Sequence, residues 1–497
     1  MVNLTASILS RALRQPERLA LVYEDQRITY GDLADRALRL AGFLREKGVR
    51  PDQVVAAVMK NSAAFYELAL AVSHVGAVFL PVNFRLARDE IRYILENAGT
   101  VLLFADDEFA QTVDGLAPTV LVGDDAQRDS RAISGDADKP AAELRQPHQL
   151  FRLMYTSGTT DRPKGAMHTY QNFYWKCWDQ IADLPITADD RLLVVGPLYH
   201  VGAFDLPGVA LFLVGGSIVL HRDFDAEKSL ASIQAERVTC AWMAPVMMGR
   251  VLACEARGQY DVSSFRWCIG GGEKTPENRI RAFSELFTNG RYIDAYGLTE
   301  SCGGDTLMEP GMELAKIGST GRALAHVELR ICDGEGNKLP PGVDGEICLR
   351  GPKVTQGYWK DEEKTRRSFF GEWFRTGDVG HVDAEGFLYL TDRMKDMIIT
   401  GGENVASSEV ERVIFMMPQV ADAAVVGRPD EQWGERLVAA VELTPGQTLD
   451  LETLTRHCRQ HLASFKVPKE LVILPALPRN PSGKVLKRVL RAELVKG

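Results

Sequence analysis

The stretch FRLMYTSGTTDRPKGAMHT, residues 151–169, starts as an apolar strand and runs straight into hydroxyl residues, glycines and one lysine. Backbone N–H groups in a turn of this kind can converge on an anion. Around Gly158, the residues Thr156, Ser157, Thr159 and Thr160 add hydroxyl donors, and Lys164 adds a positive charge. A polyphosphate suits that donor set. A plain Ser/Thr/Gly surface turn shares the composition, so the stretch alone leaves both readings open. A Walker P-loop needs Gly directly before its Lys and Ser or Thr after it. Here Pro163 precedes Lys164 and Gly165 follows, which removes that rival.

Upstream, short apolar runs alternate with amphipathic helices: LALVY, DLADRALRLAGFLREKG, VVAAVM, AAFYELALAVSHVG and VFLPV. Downstream the rhythm resumes at LLVVG, SIVL, TCAWM and RWCIG. Such alternation predicts an α/β fold with mostly parallel sheets flanked by helices. From about Gly318 the texture changes to short strands broken by Gly, Pro and Asp, with DGEGN as a turn, so a small β lobe is expected. After Asp392 a compact α+β pattern follows, and the expected division is residues 1–394 and 395–497. Asp124 to Leu144, the one long polar stretch, reads as a surface excursion.

The chain has 497 residues, more than one core usually supports. Lys and Arg total 58 against 67 Asp and Glu, a net charge of -9 that gives nucleic acid no bulk attraction. The eight cysteines are scattered, without a CxxC pair or metal-ligand spacing, and are expected reduced. The N-terminal residues read as an amphipathic helix rather than an export signal, and Leu206 to Leu220 is too short to span a bilayer. A cytoplasmic enzyme without a transmembrane segment is the expectation.

YTSGTTDRPKG resembles the phosphate loop of the AMP-forming acyl-CoA synthetases, the superfamily that includes peptide-synthetase adenylation domains and firefly-type luciferases. The resemblance continues in order through PLYHVGAF, DAYGLTE, RTGDVG, DRMKDMIITGGEN and PRNPSGK, over nearly the whole chain. It departs at Asp161, where the family usually has Gly, and at Glu273-Lys274, where it more often has Ala-Pro. The resemblance implies ATP and Mg²⁺, a large N-terminal domain and a smaller mobile C-terminal one.

Residue by residue, the resemblance implies that Tyr296 packs on adenine, with Asp294, Gly297 and the segment Gly272, Glu273 and Lys274 bordering the nucleotide. Thr299 would offer a hydroxyl to phosphate, and Glu300 is a hard carboxylate suited to Mg²⁺. Asp378 matches the acceptor for the ribose hydroxyls and Arg393 its partner. His200 matches the position beside the bound carboxylate. Lys484 matches the lysine that serves adenylation, where an ammonium stabilises charge built in the transition state. Lys395 matches a hinge that would exchange Lys484 for the strand carrying Gly401, Gly402 and Glu403. For coenzyme A, Arg85, Trp433, Phe465 and Lys469 are candidates, although Val467 stands where aryl-CoA ligases often have a basic residue.

The acyl pocket is expected to draw on Phe204, Met243, Val246, Met247, Gly271, Gly297, Ser301, Cys302 and Gly303, with the small residues leaving depth. A medium- or long-chain fatty acid, or an aryl or phenylpropenoid acid, would fit. Asp205 keeps an amino-acid substrate open, because amino-acid activators commonly carry an Asp near this point. The expected function is an ATP-dependent acyl-CoA synthetase acting through an acyl-adenylate, with a small-molecule acid, ATP and coenzyme A as partners. A ligase loading a carrier protein and a non-catalytic nucleotide-binding protein of the same fold remain alternatives, and a homodimer stays open.

Overall fold

The computed structural model describes residues 3–123, 129–156, 163–271, 275, 277–393, 396–400, 403–430, 433–479 and 485–494, with 392, 393 and 404 described in backbone only. It divides into two compact units: Met1–Ile317 with Gly321–Glu328 and Arg350–Phe374, and Gly318–Thr320 with Leu329–Leu349 and Arg375–Gly497.

The first unit carries two sheets. In the nine-stranded sheet the consecutive neighbours Arg291–Tyr296, Trp267–Gly271, Cys240–Trp242, Arg191–Val194, Ser217–Leu220 and Leu19–Tyr23 are all parallel. The six-stranded sheet runs Thr119–Val122, Thr100–Asp106, Val54–Val58, Val78–Pro81, Leu150–Thr156 and Lys164–Thr169, and only its last pair is antiparallel. Val54–Val58 is buried at every position, the pattern of a parallel strand covered by helices on both faces. The α/β architecture expected from the alternation is what the chain adopts.

Local chemistry sets where the helices begin. Thr29 and Asp32 form a reciprocal capping box at the start of helix Tyr30–Glu46, and Ser62 accepts from the Phe65 N–H at the start of Ala63–His74. The strand Lys164–Thr169 passes directly into helix Tyr170–Asp183, because Thr169 and Asn172 form a second capping box. The strand is therefore fixed where it enters the helix.

In the β-rich segment, most of which belongs to the second unit, Glu328–Cys332, Gly345–Arg350, Trp373–Val382 and Leu388–Arg393 belong to one five-stranded sheet. Another five-stranded sheet contains Ile398–Thr400, Glu403–Val405, Val420–Asp430, Gly434–Leu443 and Glu470–Ile473. Helices Ser407–Ile414 and Leu451–His461 cover it through Val410, Val413, Ile414, Leu454 and Cys458. All eight cysteines are free, and all but Cys254 are buried.

The polar stretch expected as a surface excursion runs mostly exposed or half-buried over its described part, residues 129–144, and is tied down at a few points. The Glu143 N–H donates to the His74 carbonyl at 2.8 Å, and His74 Nε2 meets the Pro140 carbonyl at 2.9 Å. Ser130 is buried against the carboxylate of Glu67, which Arg36 also approaches at 3.3 Å. These ties form because buried backbone groups and an acid on the neighbouring helix need polar partners.

Candidate active site

Most of the expected acyl and nucleotide residues follow the carboxyl ends of four adjacent parallel strands. His200 comes after Arg191–Val194, Met243 after Cys240–Trp242, Gly271 ends Trp267–Gly271, and Tyr296 ends Arg291–Tyr296. Ligands of open α/β sheets bind at those ends. Thr156 closes the neighbouring strand of the other sheet and pairs in register with Lys164, so the two flank the loop 157–162.

Lys164 is the centre of the best-defined contacts. Its ammonium lies 4.3 Å from the centre of the Tyr358 ring and donates to Tyr358 Oη at 3.0 Å. The Tyr358 hydroxyl in turn donates to Glu300 Oε1 at 2.7 Å, and Lys164 Nζ is 3.9 Å from the same oxygen. Tyr358 reaches this place because residues 355–359 run beside the strand Lys164–Thr169. The Met167 N–H donates to the Gly357 carbonyl at 3.1 Å, and the Trp359 N–H to the Gly165 carbonyl at 2.8 Å. Burial and the Glu300 charge hold the Tyr358 phenol well above its ordinary value, so it stays a donor.

Glu300 sits in a short turn, Thr299–Ser301, that is anchored from three sides. The Thr355 N–H donates to the Glu300 carbonyl at 2.6 Å. His168 Nε2 meets the Thr299 carbonyl at 2.7 Å, and Arg152 Nε donates to His168 Nδ1 at 2.9 Å. Behind Arg152 stands Asp205, which it pairs with directly; Lys176 Nζ donates to the Asp205 carbonyl at 2.8 Å and lies 3.6 Å from its carboxylate. Arg152, His168, Lys176 and Asp205 are all buried. The cations are covered by aromatic faces, Arg152 within 5.8 Å of the ring centres of Phe151, Phe173 and Phe204 and Lys176 4.6 Å from that of Phe173. Burial, then the Arg152 charge, pushes the His168 imidazole well below its ordinary value, and it is neutral.

On the other side, Asp305 pairs with Lys353 at 3.0 Å and accepts from Ser301 Oγ at 2.5 Å, all three fully buried. Lys353 also donates to the carbonyls of Gly303 and Gly304. A Cβ on Gly297 would lie 2.2 Å from the Gly304 nitrogen, so this turn closes only with glycine there.

Other expected residues are placed as follows. His200 caps the short helix Val201–Asp205, its Nδ1 accepting from the Gly202 N–H at 3.1 Å. Asp294 and Tyr296 are buried at the end of their strand, and Gly297 is exposed. Phe204 is buried with its ring stacked on Tyr66, and Met243 is buried in the core beside Met248 and Val251. Val246 and Met247 are half-buried on helix Pro245–Ala253. Ser301 and Cys302 are buried, and Leu206 packs on Gly303, so the small residues serve a tight turn. Arg85 lies 5.1 Å from the ring centre of Phe84 and 3.5 Å from Tyr199 Oη. In the second unit, Asp378 is the register partner of Arg393, which brings the two expected ribose residues opposite each other on paired strands. Glu403 pairs with Thr400, Trp433 and Phe465 are exposed, and the Lys469 N–H donates to the Leu437 carbonyl. Ser157, Gly158, Thr159, Thr160, Asp161, Gly272, Glu273, Lys274, Lys395, Gly401, Gly402 and Lys484 lie outside the described residues.

Glu300 fits a magnesium bound chiefly by phosphate oxygens, since it offers one carboxylate with only one oxygen bonded to Tyr358. Among the described residues no three His, Cys, Asp or Glu side chains converge as a metal cage, and no helix is long and apolar enough to cross a membrane.

Sequence reasoning missed Tyr358, Arg152, His168, Lys176, Asp305 and Lys353. A buried-charge signal existed only for Arg152, an arginine inside the apolar run LFRLMY.

The chain is similar to known proteins over nearly its whole length. The family model of the AMP-binding enzyme matches residues 9–359, and that of the AMP-binding enzyme C-terminal domain matches 409–484. A feruloyl-CoA synthase from Amycolatopsis is 36% identical over 97% of each chain. A long-chain-fatty-acid–CoA ligase from Mycobacterium tuberculosis is 35% identical over 99% of each. Among solved structures, the o-succinylbenzoate CoA synthetase of Bacillus subtilis, in complex with its acyl-adenylate intermediate, superposes with a TM-score of 0.88 at 32% identity, covering 98% of this chain and 97% of that one. The chain belongs to the AMP-binding enzyme family, the acyl-adenylate-forming ligases.

Proposed function

We propose that this protein is an acyl-CoA synthetase that joins a carboxylic acid to coenzyme A through an acyl-adenylate. The observation that carries the reading is the Lys164–Tyr358–Glu300 chain, which sets an ammonium, a phenol and a carboxylate within 3.9 Å of one another beside the loop 157–162. An acid oxygen attacks the α-phosphorus of ATP, and the bond to pyrophosphate breaks. Thr156, Lys164 and the loop hydroxyls hold the triphosphate, and Lys484 meets the charge developing at phosphorus. Glu300 would hold a magnesium ion, which would supply neutralisation of phosphate charge. His200 orients the acid, and Asp378 with Arg393 receives the ribose. The thiol of coenzyme A then attacks the acyl carbonyl and AMP leaves. Arg85, Glu403, Trp433, Phe465 and Lys469 serve coenzyme A, and a turn about Lys395 separates the half-reactions.

Hydrophobic acids, fatty or aromatic, are the substrate class, in keeping with relatives named for feruloyl and long-chain substrates. Asp205 argues against an amino acid, because its carboxylate is committed to Arg152 and Lys176 inside the core. The test is a panel of fatty, aryl, phenylpropenoid and amino acids with ATP, assayed for thioester on free coenzyme A and on holo carrier proteins. Thioester on coenzyme A with a fatty or aromatic acid is expected; transfer only to carrier proteins, or activation of amino acids alone, contradicts the proposal.

A further inference from the structure

The buried line Asp205–Arg152–His168 ends on a single backbone atom, the Thr299 carbonyl, one residue before Glu300. The hydrogen-bond chemistry allows one arrangement. Arg152 Nε can only donate, so His168 Nδ1 accepts; the Thr299 carbonyl can only accept, so Nε2 carries the proton. The ring is thus a neutral bridge with each nitrogen assigned one task, consistent with burial between a guanidinium and a carbonyl. Arg152 is in turn immobilised by Asp205 and by the rings of Phe151, Phe173 and Phe204. Asp205 ends the short helix that His200 caps, so the line joins the helix beside the acid to the turn that presents Thr299 and Glu300.

We propose that His168 is a positioning residue for adenylation: as the neutral Nε2–H tautomer it holds the Thr299–Glu300 turn in place for magnesium-bound ATP, with Arg152 and Asp205 fixing its orientation. The proposal rests on the adenylation reading of that turn. His168 touches no reacting atom. Losing it frees the Thr299 carbonyl and lets Glu300 drift from the Lys164–Tyr358 side, and partners of this indirect kind usually change affinity or activity about ten- to a hundredfold.

The chemistry also supplies a rescue. A glutamine amide carries an acceptor and a donor spaced much like the two ring nitrogens, whereas asparagine is too short to meet both partners and leucine meets neither. The full-length proteins His168→Gln, His168→Asn and His168→Leu are compared with wild type by calorimetric titration with magnesium-ATP, by acid-dependent pyrophosphate exchange at varied ATP, and by thermal melting. The expected result is a Kd and KM for ATP raised about tenfold or more in the Leu and Asn proteins, with the Gln protein within about threefold of wild type. A role in folding alone would lower the melting temperature and leave the KM for ATP of the folded protein unchanged; that outcome overturns the proposal. So does a folded Gln protein that has lost ATP affinity, which keeps the test decisive if the Leu and Asn proteins do not fold. Should wild type bind ATP yet show no exchange with any acid, the adenylation reading fails separately, while the ATP affinities still decide whether His168 positions the turn.

Discussion

Tyr358 carries no charge and belongs to none of the motifs that mark this chain, yet it joins the two groups that do. Its hydroxyl takes a hydrogen bond from Lys164 and gives one to Glu300, across separations of 194 and 58 residues. Tyr358→Phe removes both bonds, keeps the ring under the ammonium, and leaves one oxygen of a buried carboxylate short of a donor, a loss of about 1–3 kcal/mol. Pyrophosphate exchange should fall about tenfold or more in kcat/KM for ATP, while the protein still folds and melts only a few degrees lower; unchanged exchange would separate Tyr358 from the site. Lys164 and Glu300 were legible in the sequence because their local motifs are distinctive. Tyr358, Arg152 and His168 were not, since no local spacing encodes a hydrogen bond between residues that only tertiary packing brings together.

At the scale of elements, the turn Gly297–Asp305 is held by buried electrostatics on one side and close backbone contact on the other. Lys353→Met strands the Asp305 carboxylate in the core, and breaking a buried pair from one side costs about 3–5 kcal/mol. Chemical denaturation should show that loss, and adding Asp305→Asn should recover a substantial part of it because the orphaned charge is gone. If the double variant is no more stable than Lys353→Met, the pair is not what holds the turn. Gly297→Ala should cost about 2 kcal/mol in the same assay, because its Cβ would press on the Gly304 backbone and that atom cannot swing away. Strands and helices were readable from apolar periodicity, with LALVY, VVAAVM and SIVL each a strand as expected. Where the surface stretch ending at Leu144 is tied down was not, because Ser130 and the Pro140 carbonyl meet partners on a helix far away in sequence.

Across the whole molecule, buried titratable groups give stability a defined pH dependence. Burial pushes the His221 imidazole from 6.5 down to about 4, so the native state keeps it neutral while the unfolded chain takes up a proton below 6.5. Its contribution is therefore present above pH 6.5 and lost as pH falls toward 4, about 2 kcal/mol between pH 7 and 5. Asp106, which burial pushes up to about 6, works in the opposite direction over the same range, its contribution fading as pH rises through 6. Comparison with His221→Gln isolates the histidine: the variant should lose less stability than wild type on going from pH 7 to 5 in urea titrations, and an equal loss would contradict the assignment. The α/β class with a smaller C-terminal α+β part follows from patterns spread over hundreds of residues, which is why it could be read early. Substrate choice could not, because it depends on which side chains face a common space.

The central claim is that this chain makes an acyl-adenylate, and the direct test omits coenzyme A. Purified protein is incubated with magnesium-ATP and each of a set of fatty and aromatic acids, and the bound products are identified by mass spectrometry. The expected result is an acyl-AMP formed only when a suitable acid is present, together with pyrophosphate, and its loss in Lys484→Ala. Release of ADP and phosphate, or no adenylate with any acid, would contradict it.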